Sequence, residues 1–90
     1  LDEKIMMKEE ITEKESLKDK LLKGLDLAYE RMIAEKRKNQ QKIVFIHGKG
    51  EGVLRRSIIR ELNYKYKKYH FQDASFREYG YGATQVTIIT

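Results

Sequence analysis

The run Ile43-Val44-Phe45-Ile46-His47-Gly48-Lys49-Gly50-Glu51-Gly52-Val53-Leu54-Arg55 constrains the fold more than any other part of the chain. Four consecutive apolar residues end in a histidine. Three glycines follow at alternate positions, and a basic amphipathic segment comes next. That order predicts a buried strand, a tight turn and a helix N-terminus. A strand apolar on both parities is covered on both faces, which favours a central place in a partly parallel sheet. Glycine lacks the Cβ that would block a close approach, so such a turn can bring backbone N–H groups up to a phosphate at the helix start. Three glycines can equally serve only to turn the chain.

Upstream, Leu17, Leu21, Leu25, Ala28 and Met32 recur at spacings of three and four, and Leu22, Tyr29 and Ile33 widen the stripe. This is the period of an amphipathic helix of about 20 residues. Thr12 with Glu15 matches a capping box, and Ser16 with Asp19 offers a second start. Gly24 weakens the helix by about 1 kcal/mol relative to alanine. Lys36, Arg37 and Lys38 suit its C-terminal end, and Asn39, Gln40 and Gln41 make the turn into a strand from Lys42 to His47. A second helix is predicted from Glu51 to Lys67, with Val53, Leu54, Ile58, Leu62 and either Tyr66 or Ile59 facing inward. Two further strands are predicted over Tyr69 to Arg77, with a bend near Asp73, and over Thr84 to Ile89. The glycine-containing loop Glu78 to Ala83 joins them.

The visible order is α-β-α-β-β. The stripe of the first helix must cover a sheet, and a helix leading into a parallel strand follows another strand. A strand ahead of Leu1 is therefore expected, with residues 1–15 a charged lead-in and residues 16–90 the domain. A start at Leu1 without methionine is expected to mean a part of a longer polypeptide.

Ninety residues make one domain with a limited core. There is no cysteine, hence no disulfide and no thiolate. No apolar run is long enough to span a membrane and no leader pattern opens the chain, so a cytoplasmic location is expected. The net charge of +5 is unevenly spread. Residues 1–41 balance ten basic against ten acidic side chains, whereas residues 42–70 carry eight basic residues against Glu51 and Glu61. The positive field is centred on the glycine turn and the helix after it. A polyanion is the natural partner of such a field; a solvated helix face has the same composition.

The turn is neither a Walker A loop, which ends Gly-Lys-Ser/Thr, nor a dinucleotide fingerprint, whose glycines are spaced differently. His47 can move a proton or bind phosphate near neutral pH, or it can fix the turn through a backbone hydrogen bond. Lys49, set between two glycines, suits contact with a ligand. Phe76, Tyr79 and Tyr81 flank a glycine loop beside Arg77, and aromatics with arginine can stack on bases or simply pack the hairpin. Asp73 and Glu78 could serve as metal ligands, but no matching cluster accompanies them. No cofactor is identified, and a divalent metal is not indicated by any ligand set.

The segment Ile46 to Arg55, with its His47-Gly48-Lys49-Gly50, resembles the His-Gly-x-Gly signature of the Smr (small MutS-related) domain. Gly80-Tyr81-Gly82-Ala83-Thr84-Gln85-Val86 resembles that family's closing glycine loop and final strand. Phe71 to Gly80 is similar to the branch found in Bacteroidetes mismatch-repair relatives. The resemblance covers residues 16 to 89. It implies an α/β (α+β) two-layer sandwich of order β-α-β-α-β-β with a mixed sheet and two helices, the first strand being missing from this chain. It implies nucleic-acid binding, DNA nicking in repair or recombination, or an RNA- or ribosome-binding role without catalysis. Gly48, Lys49, Gly50, Gly52, Arg55, Arg56 and Arg77 would hold the phosphate backbone, and His47 would be the catalytic group. The family's Leu-Asp-x-His motif has no counterpart, since Leu1-Asp2-Glu3-Lys4 lacks the histidine. One histidine cannot both activate a nucleophile and neutralise a leaving oxygen, so a nuclease would need a second group or a metal.

Overall fold

The apolar run forms a strand, Gln41–Ile46, at the centre of a mixed four-stranded sheet. The computed structural model describes residues 7–35 and 41–89. Its elements are β1 (Met7–Glu10), α1 (Leu17–Ala34), β2 (Gln41–Ile46), α2 (Val53–Lys65), β3 (His70–Asp73), α3 (Phe76–Tyr79) and β4 (Ala83–Ile88). The sheet order is β1-β2-β4-β3. β1 runs parallel to β2, while β4 is antiparallel to both β2 and β3. The α+β architecture, the mixed sheet and the strand–helix order are those expected.

The first strand, expected to be missing, is supplied by the segment read as a charged lead-in. Met7 to Glu10 lies beside Ile43 to Ile46, and the N–H of Ile11 continues the ladder to the Ile46 carbonyl at 2.9 Å. The strand escaped a pattern reading because an edge strand has one neighbour and needs few apolar side chains. Met7 is packed against the core and Ile11 closes it, while Lys8 and Glu10 are exposed. Leu1 to Lys4 lie outside the described residues.

α1 buries Leu17, Leu21, Leu25, Ala28 and Met32 against the sheet, as their spacing requires. Leu22, Tyr29 and Ile33 do not widen that stripe; they stand in solvent along its flank. The helix begins at Leu17 behind Ser16, whose side chain makes no capping hydrogen bond, so neither predicted cap operates. Gly24 is more than a weak point. A Cβ there would lie 2.9 Å from Phe45 Cε1 and 3.1 Å from Ile43 Cδ1, so the glycine lets the helix press onto β2. The predicted helix end at Lys36 to Lys38 and the turn at Asn39 and Gln40 lie outside the described residues.

Alternation along β2 divides the core. Ile43 and Phe45 face the helices, together with Val86 and Ile88 of β4 and Ile58 and Leu62 of α2. Each of the larger side chains contributes about 1.5–3 kcal/mol by leaving water. Val44 and Ile46 point to the other face, where Ala74, Ala83 and Tyr79 cover them. Val53, predicted inward, is exposed. The predicted strand Tyr69 to Arg77 is shorter than its apolar residues suggested. It ends at Asp73, and the chain then makes one helical turn, α3, where a hairpin was expected. No helix among the described residues is long and apolar enough to cross a membrane.

Candidate nucleic-acid interface

β2 delivers the chain to a turn whose shape only glycine adopts easily. Gly48, Gly50 and Gly52 all have positive φ, at 77°, 38° and 79°. A side chain there would strain the backbone even in open space. Gly52 is the N-cap of α2 and has no side chain with which to cap it. The first intrahelical bond runs from the Arg56 N–H to the Gly52 carbonyl. The N–H groups of Val53, Leu54 and Arg55 therefore have no acceptor within the helix. Residues His47 to Leu54 line a hollow of about 90 Å³. A helix start of this kind favours an anion, through its free N–H groups and its dipole.

A second loop holds the turn in place. The Gly82 carbonyl accepts from the N–H groups of both His47 and Gly48, each at 2.9 Å. A Cβ on Gly82 would lie 3.3 Å from Gly48 Cα, so the two backbones touch. The Gly48 amide is consumed by this contact, and its part in the turn is conformational. The amides open to a ligand begin at Lys49.

His47 is 7% exposed, deeper than a strand-end histidine at the surface. Its Nδ1 lies 2.9 Å from the Gly48 carbonyl and its Nε2 2.9 Å from Thr84 Oγ1. A carbonyl only accepts, so Nδ1 carries the proton and Nε2 accepts from the Thr84 hydroxyl. Burial pushes the imidazole pKa below the ordinary histidine value. The Gly48 carbonyl and Asp73 oppose that shift, and Arg55 adds to it. The ring is neutral at neutral pH. Its hydrogen bond to the backbone is the structural role that the sequence left open beside catalysis.

Around this core the charged residues separate. Arg55 Nη2 pairs with Asp73 Oδ1 at 2.9 Å, and the charges of both act on the His47 ring. Arg56 Nη1 donates to the Glu51 carbonyl at 3.1 Å and braces the turn from the helix side. Lys49 is exposed, with its ammonium over the Tyr81 ring. Arg77 sits on α3 and is exposed. Asp73 and Glu78 do not converge: Asp73 pairs with Arg55 and Glu78 with Lys8. Among the described residues no group of three His, Cys, Asp or Glu side chains could hold a metal ion. Sequence reasoning missed Thr84 and Gly82 as parts of the site. Thr84 is legible only once the register opposite Phe45 is known.

A protein-family model described as the Smr domain matches residues 13–89. No curated protein and no solved structure matches the chain.

Proposed function

The chain belongs to the Smr domain family, and from that premise we propose that it binds the sugar–phosphate backbone of nucleic acid at the turn between β2 and α2. The observation that carries this reading is the open start of α2, reached through three positive-φ glycines and flanked by Lys49. One phosphate would sit against the amides from Lys49 onward, with Gly50 and Gly52 keeping the approach clear. Lys49, Arg56 and Arg77 would meet its neighbours, and Arg55 would hold the turn to β3 through Asp73. Contacts of this kind position a strand without reading its sequence.

A second reading is DNA nicking, linked to repair or recombination, with His47 as general acid–base. In its favour, the imidazole is neutral and can accept a proton. Against it, both ring nitrogens are engaged, and Thr84, the hydroxyl that His47 could activate, is 1% exposed and out of a substrate's reach. Binding without chemistry at His47 is therefore the function proposed, on DNA or on RNA such as a ribosomal surface.

The test is an affinity titration on duplex DNA over a salt series. Affinity should fall steeply with salt, by about 0.9 in log–log slope per phosphate contacted. Lys49→Gln should lower both the affinity and the slope, by about one contact. Affinity that does not change with salt overturns the proposal. A parallel arm incubates supercoiled plasmid with the protein and with His47→Gln, with and without a divalent metal. Nicking lost in a folded His47→Gln variant that still binds DNA establishes the nuclease in place of the binding module.

A further inference from the structure

Two large aromatic side chains beside the glycine turn have no place in the core. Phe76, at the start of α3, is 61% exposed, and Tyr81, in the loop before β4, is 65% exposed. Their rings meet edge to face, with centroids 4.7 Å apart and planes at 64°. Lys49 Nζ stands 5.9 Å from the Tyr81 ring centroid. The residue after Tyr81 is Gly82, whose carbonyl holds the His47 and Gly48 amides. The aromatic pair and the glycine turn are thus one continuous surface.

Packing does not account for this pair. Rings that serve a hairpin bury their area, as Tyr79 does against Val44 and Ala83. Phe76 and Tyr81 leave most of theirs in water, which is unfavourable by the area exposed. Exposed apolar surface beside charge marks a place of contact, and here Lys49 stands over the Tyr81 ring while the exposed Arg77 follows Phe76 on α3. Every nucleobase offers a π face, and aromatic side chains stack on it whatever the sequence. The cation over Tyr81 is also the one placed beside the open helix start, so one nucleotide could meet ring and ammonium together.

We propose that Phe76 and Tyr81 form a stacking platform for an unpaired base of single-stranded nucleic acid. This rests on the backbone-binding reading above and extends it to a class of substrate. Within a duplex each base is stacked between neighbours and must be extruded before a side chain can cover its face. The platform therefore selects single strands, frayed ends and gaps over continuous duplex.

The experiment compares the binding of labelled oligothymidylate, oligouridylate and a mixed-sequence duplex to the protein and to Phe76→Leu, Tyr81→Leu, Tyr81→Phe and Lys49→Gln. Both positions are exposed, and thermal denaturation checks that each variant is folded. Each leucine substitution should weaken single-strand binding by about 5- to 150-fold, the range one stacked base contributes. Duplex binding should stay within about twofold, and Tyr81→Phe should keep the parental single-strand affinity. Lys49→Gln should weaken all three ligands alike. A larger loss on oligouridylate than on oligothymidylate assigns the platform to RNA, the reverse to DNA, and equal losses to either strand. If the leucine variants lose nothing, or lose duplex and single strand equally, the platform is overturned while salt-dependent binding stands. If none of the three ligands binds at low salt, the backbone-binding reading falls with it.

Discussion

Deleting the imidazole of His47 leaves the Thr84 hydroxyl without its acceptor in a place that water scarcely reaches. His47→Ala should therefore cost about 2–4 kcal/mol, from an unpaired buried group and a small cavity together. Urea denaturation measures it. The variant confuses stability with function, which is why glutamine, able both to donate and to accept, is the better probe. The lowered pKa of His47 also carries a pH dependence. The unfolded chain takes up this proton before the folded one does, so the contribution is fully present above the ordinary histidine value of about 6.5. It is lost as pH falls from there toward the folded-state pKa. The midpoint of thermal unfolding should drop over that interval in the parent protein, and the part due to His47 should vanish in His47→Gln. At this scale the sequence was half legible. The histidine and the glycines stood out, because a strand end followed by glycine has few uses. Thr84 did not, because its partner lies 37 residues away and only sheet register brings the two together.

Gly24 shows what an element-level pattern conceals. Read along the helix, glycine is a defect worth about 1 kcal/mol, and alanine should repair it. Read across the helix, the missing Cβ is where Phe45 and Ile43 fit. Both side chains are enclosed on all sides, so yielding to a Cβ means displacing their own neighbours. Gly24→Ala should thus destabilise, by about 1–3 kcal/mol, the usual cost of overfilling a core. A gain in the chemical-denaturation midpoint would show that the helix rides up freely. The elements with strong periods, α1 and α2, and the unbroken apolar run of β2 were readable in place. β1 and α3 were not. Met7–Glu10 is charged because an edge strand borrows its order from β2, and α3 is one turn long, too short to show any period.

Across the whole molecule, the net charge of +5 and its concentration after Lys42 were open to simple counting, although charge alone could not tell a polyanion's partner from a solvated helix face. Strand order was not open to counting, since it depends on which pairings bury the most. β4 carries both antiparallel pairings of the sheet and contributes Val86 and Ile88 to the core. A chain stopped before Ala83 should show no cooperative thermal transition by circular dichroism, because β3 then has no neighbour and Ile43 and Phe45 lose one wall. The same arrangement sets the order of events on the ribosome. The last strand of this sheet takes an inner seat, so the emerging polypeptide holds part of the apolar surface of α1 and β2 uncovered until Ala83–Ile88 has left the exit tunnel. Over that interval the nascent domain exposes surface that it later buries, and its folding waits for β4.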